Sequence, residues 1–319
     1  MARFLIRRIL LGALVLWLIT ILVFAIFFIA PNDVARTLAG RQATPQTIAL
    51  IQHRLGLDKP VWQQYGTFLW HAVHGNLGYD YYKQQAVSTI IVQALPKTAS
   101  LAIGAAVIWL ALGVFNGVVS AVRPRTFADR GMTIFALVFY SMPTFLLGLV
   151  LLYLLYFRLT LSGLSWFPAG GYVPFTQSPA QWARYLVLPW LTLALVLAAT
   201  YTRLTRGSLL DVLGEDYIRT ARAKGLSERR VIYRHGLRSA LTPVLTQFGI
   251  DLGQLIGGVV VTETVFSIDG LGRTAIVAIE QQDLPVIIGV VLLAACAVVV
   301  ANILVDIGYA VLDPRVRLN

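Results

Sequence analysis

The sequence predicts an all-α polytopic membrane protein with six transmembrane helices and both termini in the cytoplasm. Only 13% of its 319 residues are charged, about half the share usual in a soluble domain. In contrast, 57% are hydrophobic, and the mean hydropathy is +0.73. A chain of this composition can neither cover a globular surface with charge nor stay disordered. Six apolar stretches approach or exceed the roughly 20 residues that a membrane-spanning helix needs.

The six predicted spans are distributed along the whole chain. They cover residues 9–30, 98–122, 132–157, 185–202, 241–266 and 285–312. Pro143 lies inside the third span and Pro189 near the start of the fourth, where we expect kinks. The first span follows arginines, as in a signal peptide. Its apolar run is too long for one and no small-residue cleavage site follows it, so we interpret it as a retained anchor.

The distribution of Lys and Arg predicts the orientation. Seventeen of them fall at the two ends of the chain and in the loops that follow the second and fourth spans, and nine fall in the other loops, which are longer. Positively charged loops stay cytoplasmic, so both termini are predicted to be cytoplasmic. The net charge of +11 then reflects topology, and no nucleic-acid partner is needed to explain it.

The predicted outer segment, residues 31–97, separates an N-terminal part (1–30) from a core domain (98–319). Thr44 and Pro45 predict the start of one amphipathic helix, and Asp58 with Pro60 the start of another. This segment either packs on the bundle and the lipid interface or offers a docking surface to an outer partner, and the two are compatible. His71 and His74 lack an evident third ligand, so no metal site is expected.

The predicted cytoplasmic loop, about 207–238, carries the most specific pattern. We expect one short helix from Asp216 to Lys224, ended by Gly225. A second is expected after Ser227, which stands at a capping position.

The loop contains the stretch from Tyr217 to Ser227, followed by Leu237. This pattern resembles the cytoplasmic EAA loop of binding-protein-dependent ABC importer permeases, with Arg219-Thr220-Ala221 where Glu-Ala-Ala is general. That departure is usual in the dipeptide, oligopeptide and nickel branch of the family.

Other motifs extend the resemblance over almost the whole chain and are similar to the first permease subunit of such importers. They are Arg54-Leu55-Gly56-Leu57-Asp58-Lys59-Pro60, Gly75-Asn76-Leu77-Gly78, Glu263-Thr264-Val265-Phe266, Gly270-Leu271-Gly272, Asp283-Leu284-Pro285, Asn302 to Asp306 and Leu312-Asp313-Pro314-Arg315. The branch more often has Asp in place of Asn76, and Ser shortly after Gly78, where this chain has Tyr79-Asp80.

The resemblance implies a type I ABC importer permease fold and a set of partners. These are a second homologous permease, one or two cytoplasmic ATPase subunits and an extracytoplasmic solute-binding protein. The loop helix would dock on the ATPase through Tyr217, Ala221 and Gly225. Arg219, Arg222 and Arg229 would pair with acidic groups there. Thr220, Ala223 and Leu226 belong to the same coupling segment.

We expect no cofactor and no catalytic residue in this chain. A P-loop needs a glycine-rich turn ending in Gly-Lys-Ser/Thr after a strand, whereas Lys224-Gly225 has the reverse order. ATP and Mg would therefore be bound by the partner ATPases.

Three acids in predicted spans are candidates for the translocation path or its gate. They are Asp251, Glu263 and Asp306. An acid at the bilayer centre costs about 2.5–3.5 kcal/mol on insertion scales, so such residues face a partner or water. Asp251 could equally make a structural hydrogen bond. Gly249, Gly253 and Gly257 place small residues on one helix face, which predicts close packing within the chain or against a second permease.

The motifs leave the solute open. Di- or oligopeptides are the default from the resemblance, and nickel, haem and other small solutes use related permeases. A self-contained secondary transporter is the alternative from another class, but no internal repeat supports it. An intramembrane enzyme is disfavoured because the four histidines fall in loops. The resemblance also predicts a bacterial or archaeal inner-membrane location.

Overall fold

The computed structural model describes residues 2–29, 44–55, 58–80 and 82–312, and nearly all of their regular structure is helical. The chain forms two compact units. The larger unit comprises Pro96–Arg273 and Leu304–Asn319, and the smaller unit comprises Ala2–Leu95 and Thr274–Ile303.

The described part contains long apolar helices separated by short polar ones. In chain order the elements are α1 (Ala2–Phe24), α2 (Pro45–Leu55), α3 (Val61–Val73), β1 (Tyr79–Asp80), β2 (Gln85–Ala86), α4 (Val87–Val122), α5 (Phe127–Tyr140), α6 (Thr144–Leu151), α7 (Pro179–Leu213), α8 (Asp216–Ala223), α9 (Leu237–Val265), α10 (Leu271–Gln281) and α11 (Leu284–Leu312). Wider π-helical turns extend α1 over Ala25–Ile29 and α6 over Leu152–Arg158, and a last turn, Leu159–Leu161, completes α6.

Five helical stretches in the described part are long and apolar enough to cross a membrane. They are Ile6–Phe28, Val87–Val122, Thr144–Leu161, Pro179–Leu213 and Leu284–Gly308. They confirm a polytopic, mostly helical membrane protein. The second and fourth are more than ten residues longer than their sequence-predicted spans.

The predicted third span, 132–157, is wrong, because the helix breaks at Pro143. α5 ends at Tyr140 and α6 begins at Thr144, with Pro143 in an extended conformation (φ −58°, ψ 136°). Proline has no N–H for the helical ladder and disfavours helical geometry in the residue before it. The span in this region is therefore Thr144–Leu161, and the stretch 132–140 belongs to a separate helix.

The helix that contains the predicted fifth span is α9. Its 29 residues correspond to about 43 Å at the helical rise of 1.5 Å per residue, enough to cross a bilayer. α9 also carries Gln247 and Asp251, and it is not among the five stretches that qualify in the described residues. The count of six spans therefore remains a prediction.

The short helices before the hairpin largely follow the sequence signals. α2 begins at Pro45 as predicted. α3 begins at Val61 after Pro60, so the prediction of Asp58 as its cap is wrong. α3 ends at Val73, and Gly75 adopts φ +74°, a left-handed conformation that glycine accepts readily. The sequence also predicts that Gly56 ends the first of these helices, and Gly56 lies outside the described residues.

The core of the larger unit forms where α4 packs closely on α7. Trp109 of α4 and Tyr201 of α7 are fully buried, with ring centroids 6.2 Å apart. A Cβ added at Gly113 would overlap Tyr201, and one at Gly117 would lie 2.5 Å from the Cβ of Thr205. Small residues on α4 therefore allow the two backbones to approach, which is how apolar helices associate without a hydrophobic driving force.

The smaller unit holds two buried carboxyl groups in contact with each other. Asp80, in the β1–β2 hairpin, accepts hydrogen bonds from the N–H groups of Tyr82 (2.7 Å) and Lys83 (2.9 Å). Asp283 accepts one from the N–H of Val286 (3.2 Å) in the first turn of α11. Asp80 is 2% exposed and Asp283 is 5% exposed. Burial, followed by the hydrogen bond and charge of Asp80, raises the pKa of Asp283 from 3.8 to about 6, and Lys83 opposes this.

This raised pKa predicts a pH dependence of stability. Between pH 3.8 and about 6 the folded chain binds more protons than the unfolded chain. The stabilisation from this group is therefore complete below pH 3.8 and is lost as the pH rises through about 6. We expect the thermal stability of the detergent-solubilised protein to rise between pH 7 and pH 5. In Asp283→Asn, which keeps the acceptor for Val286, this rise should be smaller; an equal rise in both proteins would contradict the account.

Candidate functional site

The 207–238 loop folds around one short helix, α8. Its first seven residues are the last two turns of α7, and α8 starts three residues after α7 ends, at Asp216. A short turn, Glu228–Arg230, and a π-helical turn, Val231–Gly236, then lead into α9. The predicted helix from residue 216 is present, so the loop connects two long helices through a folded segment.

The end of α8 at Gly225 has a clear local cause. Gly225 has φ +76°. Its N–H donates to the carbonyl of Arg222 (2.9 Å), and the N–H of Leu226 donates to the carbonyl of Ala221 (3.3 Å). This pair of bonds is the Schellman motif, which satisfies the last carbonyls of a helix and favours glycine at the left-handed position. Ser227 does precede the next helical turn, but its side chain makes no capping hydrogen bond.

One face of α8 packs onto the loop itself. Ile218 is fully buried and Ala221 is 8% exposed, and both contact the buried Val231. Val212, Leu213 and Leu226 pack against the same cluster. α8 is therefore held to the end of α7 and to the turn before α9.

This packing changes the expected partner-facing side of α8. Of the residues predicted to dock, Ala221 faces the interior of the loop, while Tyr217 is 45% exposed and Gly225 is exposed at the turn. The exposed side consists of Asp216, Arg219, Thr220 and Ala223. A small residue is indeed available on the outside, but it is Ala223 rather than Ala221.

The arginines of the loop are already engaged to different degrees. Arg222 makes a two-pronged ion pair with Glu228, with Nε 2.7 Å from Oε1 and Nη2 3.4 Å from Oε2. This pair closes the Gly225 turn. Arg219 lies 3.3 Å from Asp216 on the exposed side, where such a pair contributes little. Arg229 is exposed.

Among the three acids predicted for the translocation path, Asp251 is held inside the larger unit. The Tyr201 hydroxyl donates to its Oδ2 (2.8 Å), and the Gln247 amide donates to its Oδ1 (2.9 Å). Asp251 is 9% exposed and Tyr201 is fully buried. Both carboxylate oxygens thus have donors, and the arrangement connects α9 with α7.

The buried carboxylate of Glu263 caps a different helix. Its Oε1 accepts from the Thr98 hydroxyl (2.5 Å), and its Oε2 accepts from the N–H of Arg273 (2.8 Å). The N–H of Leu271 donates to the Thr98 hydroxyl (2.8 Å). Glu263 therefore satisfies the first turn of α10, whose N–H groups have no helical partner. A Cβ at Gly270 would overlap the Glu263 carboxylate, which explains a glycine next to this glutamate in space.

The remaining predicted positions lie on α9 and α11. Asp306 is half-buried on α11. A Cβ added at Gly249 would lie 2.9 Å from Cγ1 of Val305, so at this position α9 packs on α11 of the same chain. Gly253 is half-buried. Gly257 also lies in α9, and the structure does not describe its burial.

The structure also contains a buried polar cluster that the sequence patterns do not predict. It consists of Asp129 in the first turn of α5, Arg206 on α7 and Ser120 on α4. In the sequence, Arg206 is one of the basic residues whose distribution predicts a cytoplasmic loop. Asp129 does stand out in the sequence, because it is an acid between two arginines in a short loop. Its partner Arg206 could not be identified, because it is 77 residues away.

These observations define a polytopic α-helical membrane protein with two features. Its buried acids connect its long helices, and a short helix with one exposed polar face lies between two of those helices.

Comparison with known proteins then identifies the family. Residues 113–318 match the family described as binding-protein-dependent transport system inner membrane component, and residues 1–102 match the N-terminal component of such systems. The chain belongs to this family. It is a multi-pass inner-membrane permease of an ABC system, in which an ATPase and a binding protein are its partners.

Relatives match over nearly the full chain. A peptide transport system permease protein of Brucella abortus (strain 2308) is 41% identical over 319 residues, covering 100% of both chains. A peptide ABC transporter permease of Sinorhizobium fredii (strain NBRC 101917 / NGR234) is 37% identical, covering 99% of this chain and 100% of the relative. The dipeptide transport system permease protein DppB of Escherichia coli (strain K12) is 38% identical, covering 94% of each.

The capping role of Glu263 generates a stability prediction. In Glu263→Ala, the N–H of Arg273 and the hydroxyl of Thr98 lose their shared acceptor. Leaving such buried donors unpaired costs about 1–3 kcal/mol. We expect a lower thermal unfolding temperature in detergent, with a smaller loss for Glu263→Gln. Glu280→Ala, at an exposed acid of α10, is the matched control. Equal unfolding temperatures for Glu263→Ala and the control would contradict this role.

Proposed function

We propose that this chain is one of two homologous permease subunits of an ATP-driven peptide importer. The main support for this proposal is the structure of α8. This short helix lies between two long helices and has a packed inner face and an exposed outer face. Family membership supports the same function, since the family is the membrane component of binding-protein-dependent systems.

The structure offers a route by which force on α8 reaches the membrane. Ile218 and Ala221 fix α8 to Val231, which leads into α9, and to Leu213 at the end of α7. The Arg222–Glu228 pair closes the turn between them. A partner that displaces α8 therefore displaces the ends of α7 and α9 together. Alternating access would follow from this movement.

The partner ATPases, present as one or two subunits, would bind ATP and Mg and would contact the exposed side of α8. Arg219, Thr220 and Ala223 would lie at this contact, with Tyr217 and Gly225 at its margins. Ala223 allows close approach, and Arg219 is available to acidic groups of the ATPase. Ala221 contributes indirectly by anchoring the helix.

The proposed topology has six spans with both termini cytoplasmic. α9 would be the sixth crossing, and its buried Asp251 is compatible with this because Tyr201 and Gln247 supply donors. Arg206 is paired with Asp129. Without Arg206, the predicted cytoplasmic side still has more Lys and Arg than the other side, so the predicted orientation is unchanged. An extracytoplasmic binding protein would deliver the solute to the opposite side.

The proposed solute is a di- or oligopeptide. The support is the naming of relatives at 37–41% identity as peptide or dipeptide permeases. Nickel, haem and other small solutes are the alternatives within the same mechanism.

The direct test is uptake by the complete complex in proteoliposomes. With the binding protein outside and ATP inside, labelled dipeptide should accumulate, and unlabelled peptide but not nickel or haem should compete. Accumulation without ATP would contradict the importer mechanism. ATP-driven uptake that only nickel or haem inhibits would contradict the peptide as solute.

The exposed side of α8 generates a prediction on coupling. Ala223→Glu adds a carboxylate on the outer face without entering the Ile218 cluster, so the loop should stay folded while the ATPase binds less well. We expect less ATPase to co-purify and uptake to fall in parallel. Gly131→Glu is the matched control, because an added side chain there meets open space on α5. Unchanged co-purification and uptake in Ala223→Glu would contradict the proposed contact.

A further inference from the structure

A buried ion pair joins three helices near the start of the loop. Asp129 is 5% exposed, and its carboxylate faces the guanidinium of Arg206 in a two-pronged geometry. Nε lies 2.9 Å from Oδ1, and Nη2 lies 3.1 Å from Oδ2. The hydroxyl of the fully buried Ser120 donates to Oδ1, and Arg206 Nε lies 2.9 Å from the same hydroxyl. We name Asp129, Arg206 and Ser120 the Asp129 cluster.

The backbone before α5 is shaped to hold this carboxylate. The N–H of Arg125 donates to Oδ2 (2.8 Å), and Arg125 adopts φ +64°, which is uncommon for a residue other than glycine. Thr126 caps the first turn of α5. With the helix N-terminus also favouring an anion, the Asp129 carboxylate is held by the Ser120 hydroxyl, the Arg125 N–H and two N–H groups of Arg206. Arg206, Ser120 and the Arg125 N–H keep the pKa of Asp129 well below its usual range.

The position of the cluster connects it with α8. Arg206 precedes the end of α7 at Leu213 by seven residues, about 10 Å along the helix at 1.5 Å per residue. α8 begins three residues after Leu213. Ser120 lies near the end of α4, and Asp129 near the start of α5. α4, α5 and α7 are therefore joined at one point, close to the site where the proposed function applies force.

A two-pronged Arg–carboxylate contact resists sliding and rotation better than apolar packing does, because it fixes direction as well as distance. Breaking it also leaves a buried charge unpaired, which is strongly unfavourable. A displacement of the end of α7 would thus be passed to α4 and α5 through this contact.

We propose that Asp129 and Arg206 are positioning residues that make α4 and α5 move together with α7 when the ATPase displaces α8. This inference rests on the proposed function. In this proposal the Asp129 cluster helps to couple ATP hydrolysis to transport. The competing explanation is a static brace, which would stabilise the fold without affecting conversion.

The test measures solute transported per ATP hydrolysed in proteoliposomes that contain the complete complex. The variants are Asp129→Asn, Arg206→Gln and their combination. We expect the ratio to fall roughly 2- to 30-fold, the range over which single positions alter coupling between distant sites, while ATP hydrolysis continues. The double variant should lose no more than the more severe single variant, because one contact is removed in each case.

Two further variants separate coupling from folding. Ser120→Ala leaves the ion pair intact and should lower the ratio less, and it serves if the charge variants do not fold. Arg130→Gln removes an exposed arginine next to Asp129 whose guanidinium lies over the Phe127 ring of the same helix, and it should keep the wild-type ratio.

The outcomes are distinct. A lower thermal stability with an unchanged transport ratio in Asp129→Asn, Arg206→Gln and Ser120→Ala would overturn the inference in favour of a static brace. Wild-type complex that hydrolyses ATP without any uptake would contradict the proposed function itself. Wild-type uptake with a reduced ratio in the cluster variants, but not in Arg130→Gln, would support the inference.

Discussion

The need to pair every buried charge inside the chain is the constraint on which the rest of this structure depends. A carboxylate removed from water without partners is very costly, and a membrane offers it none. In the larger unit Asp129, Asp251 and Glu263 are all buried, and each finds its donors on other parts of the chain. Because those donors are distant in sequence, each acid also joins elements that apolar packing alone would leave free to slide.

In the larger unit, buried acids connect the long helices, whereas the exposed polar side of α8 stays open to a partner. Asp251 connects α9 with α7, Glu263 connects α9 with α4 and the start of α10, and Asp129 connects α5 with α7 and α4. The exposed side of α8 makes no such connection. This arrangement is compatible with the proposed function, in which the ATPase displaces α8 and the connected long helices move with it. It also explains why Asp251 and Glu263, which the sequence suggested for a solute path, have their oxygens occupied by structural donors.

Local features could be predicted from the sequence, and long-range ones could not. The start of α2 at Pro45 and the end of α8 at Gly225 depend on residues within one turn. The break at Pro143 could not be told from Pro96, Pro189 and Pro243, which lie inside intact helices, because that outcome depends on neighbouring helices. The sequence could not show whether Ala221 or Ala223 faces a partner, because both are small residues and they lie on opposite faces of α8. The pairing of Asp129 with Arg206 joins helices 77 residues apart.

In the proposed function, the ATPase contacts the side of α8 that carries Ala223. Site-specific photo-crosslinking in the assembled complex measures this most directly, after the single cysteine, Cys296, is replaced by serine. A maleimide-linked crosslinker is attached to Ala223→Cys in one protein and to Gly131→Cys, at an exposed position of α5, in another. The proposed contact predicts a crosslink to the ATPase from position 223 and little or none from position 131. A fully labelled position 223 that gives no crosslink, or equal crosslinking from both positions, would contradict it.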